Sequence, residues 1–176
     1  MSAEGFSLFD TRIGTCAVAW GEHGIVGLGL PESTAGGTRA RMRRRFPDAP
    51  EAEPPSSVTD AITAMVALLS GEAADLDGVA LDMDGVPEFH RRVYEVTRAI
   101  PPGDTMTYGE IATQLGDPGS ARAVGQALGA NPFPIVIPCH RVLAAGGKAG
   151  GFSANGGTAT KMRMLTIEGA LPPTLF

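Results

Sequence analysis

Three β-prone runs, Phe6-Ser-Leu-Phe9, Thr15-Cys-Ala-Val-Ala-Trp20 and Ile25-Val-Gly-Leu-Gly-Leu30, fill the first thirty positions, separated by turn residues around Arg12-Ile13-Gly14 and Gly21-Glu22-His23-Gly24. Short runs at that spacing read as a small antiparallel meander. Most of the regular elements after it read as helices. Thr38 to Phe46 is a basic helix stopped by Pro47, and its five arginines read as a solvated face. Val58 to Ser70 carries Ile62, Met65, Val66 and Leu69 at helical spacing, with Gly71 as its stop. After a connection rich in Asp and Gly, with a short strand at Val79-Ala-Leu81, a boundary falls near Pro87. The expected architecture is an α/β N-terminal domain over 1–87, a small antiparallel sheet with helices, and a mostly helical C-terminal domain over 88–176.

Charge divides the chain in the same way. Residues 1–88 hold six Lys/Arg against fourteen Asp/Glu, a net of -8, and residues 89–176 hold eight against five, a net of +3, which sum to the overall -5. An acidic chain is an unusual nucleic-acid binder, but the basic balance lies in the half that carries the motifs. No run approaches the roughly 18 apolar residues of a membrane span, and no leader precedes the meander, so a soluble, cytoplasmic monomer is expected. Cys16 and Cys139 lack the clustering of a structural zinc site, and both are expected as free thiols.

The second half opens with an amphipathic helix, Phe89 to Ile100, ended by Pro101-Pro102-Gly103. Thr107-Tyr108-Gly109-Glu110 fits a capping box that starts a short helix, Gly116-Asp-Pro-Gly119 turns the chain, and a second helix runs from Ser120 to about Leu128 with Gly129 as a left-handed cap. Two short helices around a tight turn make a helix-turn-helix candidate. The second helix is almost all Ala, Gly and Val, with Arg122 its only charge. Small residues such as Ala121 and Gly125 let a backbone approach a narrow minor groove while one long Arg reaches in. Ile135-Val-Ile137 reads as a buried strand delivering Pro138-Cys139-His140-Arg141. A Gly-rich loop from 144 to 157 and a helix from Thr158 to Glu168 complete the domain.

Ile137-Pro138-Cys139-His140-Arg141-Val142, preceded by Arg122-Ala-Val-Gly125 and Asn131-Pro132, with Tyr108-Gly109 upstream, resembles the O6-alkylguanine-DNA alkyltransferase family over about Phe89 to Ala170. The first half resembles that family only in having strands followed by helices. The resemblance implies direct repair of O6-alkylguanine in double-stranded DNA. An alkyl group would pass irreversibly to Cys139 from a base flipped through the minor groove. It implies that His140 acts with Glu168, through a water, to take the thiol proton. Tyr108 would donate to the guanine ring and Ser153 to the oxygen that loses its alkyl group. Arg122 would fill the gap in the stack, and Asn131 would tie the helix pair to the cysteine segment. Ala121, Gly125 and Arg141 join Arg122 among the DNA contacts. No cofactor is implied, and the family's optional zinc ligands do not map onto Cys16 and His23, so no metal is expected.

Taken singly, these residues have plainer readings. A lone cysteine is usually core, Arg122 a solvated helix charge, Tyr108 a packed aromatic and Ser153 a turn residue. Their joint spacing about Cys139 outweighs that for the site, whereas Cys16, with no basic neighbour, stays a core residue. The alternative from another class is a lesion-recognition protein without chemistry, which would replace the acceptor cysteine; a Cys-His hydrolase would leave the helix-turn-helix unused.

Overall fold

The computed structural model describes residues 2–147 and 157–171 of the chain. It divides into two compact units, one running to Gly85 and including Pro132–Val136, the other comprising Val86–Asn131 and most of the chain from Ile137 onward.

In the first unit, β1 (Gly5–Thr11), β2 (Gly14–Gly21) and β3 (Gly24–Gly29) form an antiparallel sheet in that order. The hairpins close with Thr11 opposite Gly14 and Gly21 opposite Gly24. Both returns enter at a glycine with φ near +125°, a conformation costly for any residue with a Cβ. Along β2, Ala17 and Ala19 share a face and pack with Phe6, Val26 and Met42, the last from α1 (Ala35–Arg45). Thr34 caps α1, its side chain accepting from the Gly37 N–H. The helix therefore starts three residues before the expected Thr38. Its arginines are largely occupied. Arg39 and Arg43 lie on Glu51, Arg41 on Glu32, and Arg45 donates to the Leu28 carbonyl. α2 (Ser56–Leu69) turns Val58, Ala61, Met65, Leu68 and Leu69 inward and ends before Gly71, at φ +87°. The strand expected at Val79–Leu81 is a single bridge, Leu81 beside Ile25.

The second unit begins with α3 (Glu88–Arg98), which buries Val93, Tyr94 and Thr97. β4 (Met106–Thr107) leads into α4 (Tyr108–Gln114), whose start carries both hydrogen bonds of the Thr107/Glu110 capping box. At its end the Gly116 N–H bonds the Thr113 carbonyl and the Asp117 N–H the Ala112 carbonyl, with Gly116 at φ +84°. A turn at Pro118–Ser120 enters α5 (Ala121–Gly129), with Val124, Ala127 and Leu128 buried. Gly129 stays inside α5, and the left-handed cap falls at Gly116 instead.

The largest departure concerns Ile135–Ile137. This segment is a turn, not a strand, and Ile135 has φ +78°. Pro134 and Pro138 flank it, and a proline has no N–H for a ladder. A buried β-branched residue in the left-handed region is strained, and packing must outweigh that strain. Cys139–Arg141 then forms a 3-10 turn, followed by β5 (Val142–Leu143). β5 pairs in parallel with β4, Met106 with Val142 and Thr107 with Leu143. α6 (Thr158–Ile167) buries Lys161, Met164 and Leu165 on one face.

Candidate active site

The thiol sits at the first residue of a turn that local hydrogen bonds determine. The Cys139 N–H bonds the Ile137 carbonyl at 2.7 Å and the Arg141 N–H the Pro138 carbonyl at 2.8 Å. Such a turn removes the difficulty an extended strand would pose, in which Cys139 and His140 would face opposite ways. Asn131, just past α5, donates from Nδ2 to the Ile137 carbonyl at 2.9 Å, joining the helix end to the segment before the thiol.

Behind the thiol lies a charged set almost closed to solvent. His140 Nε2 is 2.9 Å from Glu168 Oε2. Arg141 donates from Nε to Glu168 Oε1 at 2.8 Å and from Nη2 to Oε2 at 2.7 Å, while its Nη1 reaches the Ile100 carbonyl at 2.6 Å. This corrects the expectation that the Arg141 side chain contacts DNA: it is 6% exposed, and three of its five N–H groups are held by Glu168 and by the Ile100 carbonyl just past α3. Burial opposes ionisation of Glu168, but the Arg141 and His140 donors hold its carboxyl down at about 2. Glu168 is therefore ionised, Nε2 carries the imidazole proton, and Nδ1 keeps its lone pair. Among the described residues, Nδ1 has no hydrogen-bond partner.

Lys161 escaped the sequence reading. Its Nζ donates to the Val142 carbonyl at 2.6 Å and lies 5.9 Å from the Tyr108 ring centre. Burial lowers it to about 8, against the pull of Cys139. The signal was present: Lys161 stands three and four residues before Met164 and Leu165, a lone charge in the apolar stripe of its helix. Burial pushes the Cys139 thiol up, while Asn131, the Lys161 charge and two backbone N–H groups pull it down.

Tyr108 opens α4 directly after β4, so the two-residue β4–β5 ladder ties its position to that of Val142, three residues past the thiol. Burial and the nearby Cys139 raise its hydroxyl above the usual tyrosine range. A Cβ on Gly125 would lie 4.0 Å from that ring, in ordinary contact. Ala121 and Gly125 are half-buried and Arg122 is exposed. Ser153 lies outside the described residues.

The family model described as 6-O-methylguanine DNA methyltransferase, DNA binding domain, matches residues 88–170. A methylated-DNA--protein-cysteine methyltransferase of Methanothermobacter thermautotrophicus is 37% identical over 152 residues, covering 86% of this chain and 78% of that protein. The chain belongs to the methylated-DNA--protein-cysteine methyltransferase family. A methyltransferase of this family from Mycolicibacterium paratuberculosis is 45% identical, covering 70% of this chain and 74% of its own length. The crystal structure of Mycobacterium tuberculosis OGT in complex with DNA superposes with a TM-score of 0.74 at 35% identity, covering 97% of each chain. The methyltransferase family thus extends to both units, although its DNA-binding model begins only at residue 88.

Proposed function

We propose that this protein repairs O6-alkylguanine in double-stranded DNA by transferring the alkyl group, once and irreversibly, to Cys139. The observation that carries this reading is a thiol beside an imidazole whose far nitrogen is held by an ionised carboxylate, in a chain of the methyltransferase family. The thiol proton passes through a water to His140 Nδ1. The sulfur attacks the alkyl carbon, the sulfur–carbon bond forms as the carbon–O6 bond breaks, and the electron pair leaves with the guanine. Glu168 stabilises the imidazolium that results. Tyr108 donates a hydrogen bond to the guanine ring that stabilises the charge developing there, with Ser153 at the oxygen that loses its alkyl group, and the proton held by His140 returns through water so that the released base ends neutral. The Lys161 charge assists the thiolate. Nothing hydrolyses the thioether, so each molecule acts once.

DNA binding belongs to residues 88–176. α4, the Gly116 turn and α5 are read as a helix-turn-helix whose second helix enters the minor groove. Small residues at Ala121 and Gly125 allow close approach, and exposed Arg122 fills the stack after extrusion, offsetting part of a cost of a few kcal/mol. The setting is the cytoplasm and the acting species a monomer.

Intact-protein mass spectrometry after incubation with an oligonucleotide carrying one O6-methylguanine tests this. A gain of one methyl on Cys139, absent from Cys139→Ala, is expected. Lesion binding with no gain in mass would overturn the transfer and leave a recognition protein.

A further inference from the structure

The proton path leaves one strongly interacting side chain unused. Arg141 is covered from solvent and makes three hydrogen bonds at 2.8 Å or less, none toward Cys139. Two of them occupy both oxygens of Glu168, leaving room on Oε2 for His140 Nε2 alone. The third fastens the guanidinium to the Ile100 carbonyl, two residues past the end of α3. A planar fork bound this way fixes the plane of the carboxylate and presents one oxygen to the imidazole, a task a single ammonium cannot perform.

The charge matters as much as the geometry. A buried carboxylate facing an imidazole with nothing else nearby draws a proton onto the ring, and an imidazolium at rest accepts no proton from a thiol. The groups that face His140 are Glu168 and Lys161 from the last helix segment and Cys139 and Arg141 from its own turn. Glu168 alone among them favours the imidazolium. Arg141 and Lys161 oppose it.

We propose that Arg141 is a positioning residue that keeps His140 neutral and correctly oriented, cancelling the Glu168 charge so that the carboxylate aligns the imidazole without protonating it at rest. Burial is the first cause holding His140 below its ordinary value, and the Arg141 charge adds to it. This rests on the reading of His140 and Glu168 as the proton path of the alkyl transfer.

The test is the pH dependence of the second-order rate of methyl transfer, read by mass spectrometry, in the full chain and in Arg141→Met and Arg141→Lys. Arg141→Met should slow transfer about tenfold or more near neutral pH and move the acid limb to higher pH, with activity recovering as pH rises. Arg141→Lys should leave the limb in place but transfer more slowly, since charge is kept and the fork is lost. His140 ring 15N shifts in the native protein and in Arg141→Lys should report an Nε2–H tautomer, less fully populated in the variant; these carry the test should Arg141→Met not fold. A uniform loss of rate in Arg141→Met with an unmoved limb, or native rate and tautomer in Arg141→Lys, would overturn the proposal. No transfer by the native chain would instead remove the functional reading beneath it.

Discussion

Each unit of this protein buries one cysteine, and the two differ in electrostatic company far more than in exposure. Cys16 lies in the middle of β2, fully covered, with the Thr11 hydroxyl 3.8 Å away and the charge of Asp10 adding to the effect of burial. Its thiol is pushed up to about 12. Cys139 is 8% exposed and burial pushes it up as well, yet an amide, a lysine charge and two backbone N–H groups act the other way. Removal from water makes a cysteine inert by default. Reactivity has to be built against that default by groups that favour the anion or take its proton.

The sharpest way to erase the contrast is Glu168→Gln, which keeps the shape around His140 but removes the charge that holds its proton. Methyl transfer should slow by about 10²-fold, the scale of a lost general base. An unchanged rate would mean that exposure alone separates the two thiols. The same substitution bears on stability. Because the folded carboxyl is held at about 2 against an ordinary 4.5, its contribution is fully present above pH 4.5 and is lost as pH falls through about 2. Removing it leaves Arg141 buried without its anion, at a cost of about 3–5 kcal/mol by chemical denaturation at neutral pH.

Lys161→Met is expected to act less strongly. The ammonium is charged below about pH 8 and lost above it, so native transfer should decline on the alkaline side near that value. The variant should lack that decline and run about tenfold slower at pH 7, equivalent to one pKa unit on the thiol. A native profile flat through pH 9 would remove Lys161 from the chemistry. The smallest effect concerns the spent protein. A methyl on Cys139 enters a close-packed turn, and overpacking costs about 1–3 kcal/mol. Each kcal/mol should lower the melting temperature by about 2–4 °C in a chain of this size. An unchanged melting temperature after full methylation would show a pocket with room to spare.

Much of this was legible in the residues, for local reasons. The meander, both of its turns, the capping box and the helix faces follow from glycine placement and periodicity, which act within a few residues. Apart from the Ile135–Ile137 segment, the start of α1 and the Gly129 cap, which are local, the misreadings involve partners distant in sequence. Ile135–Ile137 looked like a strand because β-branched runs usually are, but three flanking prolines at 132, 134 and 138 leave little backbone to pair. Arg141 stands among the expected DNA contacts only through the family resemblance, whereas its carboxylate partner is 27 residues away. The β4–β5 pairing that positions Tyr108 relative to the thiol joins two-residue segments too short to carry any pattern. Lys161 was the most recoverable, since one charge in an apolar stripe asks what neutralises it.

The span of the Arg141 contacts has a consequence for biosynthesis. The guanidinium reaches back 41 residues to Ile100 and forward 27 to Glu168, so its anion is translated well after the turn that carries the thiol. Until Glu168 leaves the ribosome, the turn holds a cation and an imidazole with no counter-charge, and burying it is unfavourable. A sulfur left uncovered in that interval would be open to solvent and to oxidants. A single-use protein cannot recover molecules spoiled this way by turning over. Slower packing of the last helix over the turn is therefore expected to raise the oxidised share of Cys139 in newly made protein, which mass spectrometry reads directly.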